Sequence, residues 1–433
     1  MSSAPSPIHL DGTTLEGGGQ LLRIAIGLSA LTKKAIAITS IRGKRHGGGG
    51  LKAQHLTSVQ WLSLASNAQT IGAELKSKEL TFTPNALHTP NALHTPNALH
   101  TPNALHTPNA QSQAHIQIPQ TTPGSITLIL QAILPYILFS SYHSSPVYIT
   151  ITGGTNVSNS PSIDYTTQVL LPMLKLIGIP PISTQLHSRG WSQGAPVLGS
   201  VTFTITPLQA PLPAFDLTTR GAIISIKATI LAPASSEQNF RDELGLMFEK
   251  RGSHFFDTEQ TPNIEISFQD SHHEKRFYIL LVAKMSSGIK LGRDWLYDRR
   301  VPSSSSFSHI PAMIAKVSSD LLAEIEHGGC ADEWMRDQLV VFQALAKGES
   351  RVDGGYRGAE RVEMSLHART AVWVAGEVAG VRFDEEGGCR SVGFYGGVVE
   401  EEEVDGDGKG NRDDDEGGLV EKMRKLAVSK EDV

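Results

Sequence analysis

A carboxylate followed by three glycines, Glu16-Gly17-Gly18-Gly19-Gln20, stands directly before an apolar stretch that begins at Leu21. Glycines let the backbone turn tightly and expose its N–H groups, and a helix N-terminus adds partial positive charge. Together they make a site for an anion such as phosphate. Cations follow: Arg23 one turn into the apolar stretch, then Arg42, Lys44, Arg45 and Lys52 in a second glycine-rich loop. Taken alone, a glycine run before a helix also reads as a plain strand-to-helix turn. Two further pieces carry reactive residue types. His367 lies in EMSLHART, residues 363–370. A neutral imidazole aimed at phosphorus can act as a nucleophile and then as a leaving group, which suits a two-step transfer. The bland alternative is a hydrogen-bonded core or surface histidine. Asp337, in Trp334-Met-Arg-Asp337-Gln338, precedes an apolar helical run. It either starts that helix or serves to orient His367 or contact a nucleotide.

Several familiar chemistries are excluded. The Gly-Lys pairs at 43–44 and 408–409 lack Walker A spacing and its Ser/Thr, and there is no His-Glu-x-x-His or Cys-x-x-Cys. One Gly-x-Ser-x-Gly match, Gly190 to Gly194, leads into a strand-like segment rather than a helix, so it reads as a glycine-rich loop and not a hydrolase elbow.

These residues need elements to position them. Ile8–Leu10 reads as a short strand, Leu21–Leu31 as a helix with Lys33 and Lys34 at its C-terminus, Ala35–Ile41 as a β-branched strand and Gln54–Ala65 as an amphipathic helix. That order predicts layered α/β architecture. GSITLILQAILPYILF, residues 124–139, repeats the glycine-turn-then-helix pattern, and VYITITGG followed by an amphipathic segment repeats strand, glycine loop and helix. The tandem units predict an internally repeated fold. A less regular part, 212–287, holds a charged helix (237–250) and the strands IEISF and FYILLVA, and reads as a small appended domain. Helices are expected at 312–327 and 331–346, and mostly strand over 362–381, which places His367 on a strand.

Composition sets the outer limits. The 433 residues are 39% hydrophobic and 19% charged, which fits a soluble globular protein of two or three domain-sized units. Net charge is −6, but residues 384–433 hold 16 acidic against 7 basic groups, a net of −9, so the body is mildly basic at +3. Such a body permits nucleic-acid binding without requiring it. The two cysteines, Cys330 and Cys389, form neither a disulfide framework nor a four-thiolate zinc site, and fit a reducing compartment. No secretory signal is read at the N-terminus, and the apolar stretch 126–141 contains Gln131 and Pro135 and reads as a buried core helix. TPNALH repeats four times over 83–106 with a partial copy to 110. Its regularly spaced prolines and histidines read as a disordered surface insertion rather than a metal array. The tail 384–433 is expected to be mostly disordered.

EGGGQLLR, SIRGKR, GLKAQHLT, GSITLILQAILP, the Gly153-Gly154-Thr155 turn, WMRDQ and SLHART occur in an order that resembles the RNA 3′-terminal phosphate cyclase family over most of residues 8–383. The resemblance implies a large domain of three β-α-β-α-β-β repeats (8–211 and 288–383) with a smaller α/β domain (212–287) inserted. It implies an enzyme that uses ATP and magnesium or manganese to convert an RNA 3′-phosphate into a 2′,3′-cyclic phosphate. His367 matches the nucleophile that takes AMP, and Asp337 an active-site position near it. Glu16 matches the carboxylate near the ATP phosphates and metal. Gly17, Gly18, Gly19, Gln20, Gln131, Pro135, Trp334, Asp337 and Gln338 match the nucleotide site. Arg23, Arg42, Arg45 and Gln54 match the cluster around the RNA 3′-phosphate. RNA with a 3′-terminal phosphate is the expected partner, with no membrane and no obligate protein partner, in the nucleus or cytoplasm. The sequence departs from the family pattern at Trp334, where tyrosine is common, at Ala371 and in the glycine-expanded loop 46–50. A non-catalytic cyclase-like RNA-binding factor is the nearer alternative and an enolpyruvate transferase the more distant one. Retention of His367, Glu16 and the arginines favours the enzyme.

Overall fold

The computed structural model describes residues 6–45, 48–84, 115–140, 145–194, 196–256, 263–299, 307–396 and 398–399. The TPNALH copies from residue 85 on and the tail from residue 400 lie outside them.

The first sheet contains β1 (Ile8–Asp11), β2 (Ile36–Thr39), β3 (Gln69–Ile71) and β4 (Leu80–Thr83) in the order β1-β2-β4-β3, with helices α1 (Gln20–Thr32) and α2 (Ala53–Ala65). The second contains β5 (His115–Ile118), β6 (Val147–Gly153), β7 (Ser183–Ser188) and β8 (Gly199–Ile205) in the order β5-β6-β8-β7. Its helices are α3 (Ile126–Phe139) and a broken segment made of α4 (Ile163–Tyr165), a π-helical stretch (Thr166–Leu170) and α5 (Leu171–Leu176). In each sheet the first pair is parallel and the next two pairings are antiparallel.

A third sheet has the same pattern but is assembled from distant segments. The two-residue β9 (Asp216–Leu217) pairs in parallel with β14 (Lys347–Val352), which pairs antiparallel with β18 (Gly388–Val392), itself antiparallel to β17 (Arg382–Phe383). Between β9 and β14 the chain builds a fourth sheet, β11-β10-β12-β13, from β10 (Ile223–Ala232), β11 (Asn263–Asp270), β12 (Tyr278–Met285) and β13 (Lys290–Leu296). Helices α6 (Glu237–Phe255) and α7 (Ile310–Glu326) accompany it, and α8 (Glu333–Leu345) leads into β14. A small hairpin, β15 (Tyr356–Arg357) and β16 (Glu360–Arg361), precedes α9 (Leu366–Ala379), and a last pair, β19 (Phe394–Tyr395) and β20 (Val398–Val399), closes the described chain.

The mixed α/β class agrees with the sequence reading; one element differs in type. Residues 366–379 are helix, not strand. Ser365 caps the helix through its hydroxyl, which accepts the Ala368 N–H, and Gly380 ends it at φ 78°, a left-handed conformation suited to glycine. The expected boundary at 287/288 falls between β12 and β13, which pair along their whole length. Past Asp384 the chain remains in register with the third sheet through β18.

The core sits where the helices meet. Residues 20–31 of α1 are all buried, and the helix packs against α2, α3 and α9. Gly27 makes this close: a Cβ there would stand 2.8 Å from the Ala132 carbonyl oxygen of α3. Among the described residues no helix is long and apolar enough to cross a membrane. Cys330 and Cys389 are both buried free thiols.

Candidate active site

The glycine turn feeds straight into the buried helix. Gly17 has φ 62°, and a Cβ on Gly18 would collide with the Glu16 carboxylate. Gly19 is the N-cap of α1 and supplies no side chain, so the first-turn N–H groups have no side-chain cap. The Glu16 backbone N–H donates to Thr370 Oγ1 at 3.2 Å, tying the turn to α9. One turn earlier on that helix, His367 Nε2 lies 3.9 Å from Glu16 Oε1. The same carboxylate oxygen pairs with Arg45, while Oε2 is buried without a partner.

Behind this pair runs a buried polar chain across three helices. Arg23 Nε donates to Gln131 Oε1 at 2.8 Å and Nη2 to Gln20 Oε1 at 2.5 Å. Gln20 Nε2 donates to Asp337 Oδ2 at 2.9 Å, and Gln338 Nε2 to Asp337 Oδ1 at 3.0 Å. Burial lowers the Arg23 pKa to about 10, with Asp337 and Glu16 opposing the shift. Burial pushes Asp337 up to about 7. The chain holds Gln20, Arg23, Gln131, Asp337 and Gln338 in fixed orientations along one side of a cleft of ≈ 520 Å³, which His367 also lines.

His367 is half exposed, with 49% of its side chain accessible. Desolvation, helped by Arg23 and Arg45 and opposed by Glu16, sets its pKa below the ordinary imidazole value. The ring is therefore neutral at neutral pH and its nitrogen lone pair is available. Trp334, also on the cleft wall, packs edge-on to Tyr165 with centroids 5.6 Å apart, and the Arg293 guanidinium lies 5.1 Å over its ring.

Some expected residues stand elsewhere. Pro135 is buried inside α3 and lines a smaller cavity beside Arg23, Gln131 and Gln338, not the cleft. It is one turn beyond Gln131 on the same face of α3, and both line that smaller cavity. Asp337 is the fifth residue of α8 rather than its cap; Asp332 caps that helix. Both Asp337 oxygens are taken by glutamines, and the carboxylate beside His367 is Glu16. Gln54 accepts the Ser125 N–H at 2.9 Å and so braces the start of α3. Arg42, at φ 55°, donates to the Gly50 carbonyl at 3.3 Å in the loop outside the cleft.

The opposite wall comes from residues that carry no motif: the loop 156–162, Tyr278, and Arg293 to Leu296 at the end of β13. Only the glycine-loop-then-helix pattern at 153–165 signalled any of these in the sequence. No group of three or more His, Cys, Asp or Glu side chains suited to a metal ion occurs among the described residues. The orphaned Glu16 Oε2 is a single hard oxygen ligand. It fits magnesium or manganese bound mainly through substrate phosphates and water.

The sequence matches the family described as RNA 3′-terminal phosphate cyclase over residues 14–384. A protein of Staphylothermus marinus named RNA 3′-terminal phosphate cyclase is 31% identical over 352 residues, covering 79% of this chain and 86% of its own. Proteins of the same name from Pyrococcus furiosus and Drosophila melanogaster are each 28% identical, over 389 and 410 residues. They cover 89% and 92% of this chain and 97% and 99% of their own.

Proposed function

Because the chain belongs to the RNA 3′-terminal phosphate cyclase family, whose members are ATP-dependent ligase-type enzymes, we propose that it converts an RNA 3′-phosphate to a 2′,3′-cyclic phosphate through a histidine–AMP intermediate. The observation that carries this reading is the neutral His367 imidazole at the mouth of a polar cleft, 3.9 Å from a buried carboxylate with an unpartnered oxygen.

In the proposed sequence His367 Nε2 attacks the α-phosphorus of ATP, and the bond from that phosphorus to the pyrophosphate oxygen breaks. A terminal RNA 3′-phosphate oxygen then attacks the same phosphorus and displaces the imidazole, giving an RNA–adenylate anhydride. The neighbouring 2′-hydroxyl attacks the 3′-phosphorus, loses its proton, and expels AMP as the ring closes. Activation matters because a free phosphate oxygen is a poor leaving group. Glu16 would hold the divalent metal, which supplies charge neutralisation at the phosphates. Gln20, Gln131, Gln338 and Asp337 form the polar wall that orients the nucleotide, and Trp334 offers an aromatic face for a base. Arg23, Arg42 and Arg45 carry positive charge toward the RNA end.

The shared strand order of three sheets supports three β-α-β-α-β-β repeats, the third interrupted between β9 and α8 by the unit built on the fourth sheet. On this reading the insert extends past residue 287 to include β13 and α7.

A direct test uses an oligoribonucleotide with a radiolabelled 3′-phosphate. With ATP and magnesium the label should become phosphatase-resistant, and the same strand ending in a 2′-deoxy nucleotide should stall as the adenylate anhydride. A label that stays phosphatase-sensitive under both conditions would overturn the assignment.

A further inference from the structure

The small hairpin directly before α9 has no part in the steps above. β15 and β16 pair Tyr356 with Arg361 and Arg357 with Glu360 around a turn at Gly358-Ala359. A lone two-stranded hairpin this short is not stable in water, so its base must hold it. The Tyr356 N–H donates to the His327 carbonyl at 2.7 Å, and the Val362 N–H donates to the Gly355 carbonyl at 3.0 Å. Arg336 on α8 donates from Nη1 to the Val362 carbonyl at 3.2 Å. Gly355, at φ 81°, allows this fit, since a Cβ there would stand 2.2 Å from the His327 carbonyl oxygen. The far end is open: a Cβ on Gly358 would meet nothing within 4 Å.

These contacts set the hairpin on the rim of the cleft. His327 lies in the turn between α7 and α8, and α8 opens with Glu333 and Trp334 in the cleft wall. On its other side the hairpin runs through residues 362–365 into α9, where Ser365 and His367 line the same cleft. The short stretch of chain from Arg361 to His367 keeps the hairpin within about 20 Å of the proposed nucleophile.

The rim presents an aromatic ring with one face taken. The Arg361 guanidinium lies 4.9 Å over the Tyr356 ring. It is held there by the Glu386 carbonyl at 3.4 Å and by Asp353 at 3.9 Å. Tyr356 is still 43% exposed, so the side away from Arg361 meets water. Arg357 is exposed beside it and donates to His327 Nε2 at 3.1 Å. Exposed Glu360 and Glu363 offset the two arginines, so charge alone draws no polyanion to this rim. What remains is a flat, rigidly mounted face of the kind on which any nucleobase stacks. A strand whose 3′-phosphate sits at the cleft has its preceding nucleotides outside it, at the rim.

We propose that Tyr356 stacks a nucleobase of the RNA upstream of its 3′-terminal nucleotide, with Arg361 fixing the ring and Arg357 meeting the phosphates of the strand. The inference rests on the reading that the chain acts on such an RNA end.

The test compares two 3′-phosphate strands of roughly ten nucleotides, one complete and one with every base upstream of the last removed. Cyclisation kinetics are read on both, beside AMP labelling with ATP alone. Tyr356→Ala should raise KM for the complete strand about tenfold, the worth of one stacked base. KM for the abasic strand, kcat and AMP labelling should stay as in wild type. Tyr356→Trp, which keeps a stacking face, should behave as wild type on both strands. Arg357→Ala should reduce the salt dependence of KM on both strands alike; an unchanged salt dependence would remove Arg357 from the site. An equal rise in KM on both strands in Tyr356→Ala would overturn stacking. Wild-type KM on both would overturn the site and leave the hairpin to a protein partner. A wild-type protein that cyclises neither strand would overturn the proposed function, and this site with it.

Discussion

At the scale of residues, the proposed chemistry turns on which groups keep or lose their protons. In that scheme His367 must be neutral to attack phosphorus, and burial together with Arg23 and Arg45 keeps its pKa below the usual 6.5. AMP labelling measured against pH should therefore fall to half its full rate only below pH 6.5; an acid limb centred above 6.5 would contradict that environment. Asp294 shows the opposite case. It accepts from Ser162 Oγ and Tyr278 OH, and burial pushes its pKa from 3.8 up to about 7. The folded state holds this proton where the unfolded chain has released it. Its stabilising contribution is complete below pH 3.8 and declines as pH rises to about 7. Asp294→Asn, which can keep an oxygen toward both hydroxyls, should raise the melting temperature relative to wild type more at about pH 8 than at about pH 4. A difference independent of pH would show that Asp294 titrates normally. The sequence made Glu16, Gln20, Arg23, Gln131, Asp337, Gln338 and His367 legible because they sit in distinctive short motifs. Arg293, Trp295 and Pro161 line the same cleft but sit in ordinary strand and loop contexts, and only the fold brings them there. Pro135 shares a motif and a helix face with Gln131, yet it lies a turn farther along α3, outside the cleft.

At the scale of elements, α9 places the proposed nucleophile. Ser365 caps it, His367 occupies its first turn, and Thr370 anchors it to the Glu16 backbone. Ser365→Ala should cost about 1 kcal/mol in urea unfolding by losing the cap, and should slow AMP labelling by loosening the first turn. Unchanged stability would mean that the cap contributes nothing. This helix was read as strand because Val372, Val374 and Val378 are β-branched and alternate with other apolar residues. The terminal signals, Ser365 before and Gly380 after, outweigh that pattern once α9 packs on α1 and α8. The early helices were legible because their apolar spacing and the glycine turns agreed. β9 was not, since a two-residue strand leaves no period to read.

At the scale of the molecule, the fourth sheet helps build the cleft. Arg293 on β13 pairs with Glu324 on α7 and, at 2.8 Å, with Glu333 at the start of α8, while covering Trp334. Arg293→Ala leaves the buried Glu324 without its cation and should destabilise the protein by about 3–5 kcal/mol in denaturant unfolding. A loss near zero would show that β13, α7 and α8 meet without this link. The sequence did not show that β12 and β13 pair across residue 287, because strand pairing is non-local. The most direct measurement is incubation of the full chain with α-labelled ATP and magnesium or manganese, without RNA, followed by denaturing electrophoresis. Acid-labile AMP should remain on the wild-type protein and be absent from a folded His367→Ala variant. No label on a folded wild-type protein, or label that survives in His367→Ala, would contradict His367 as the nucleophile.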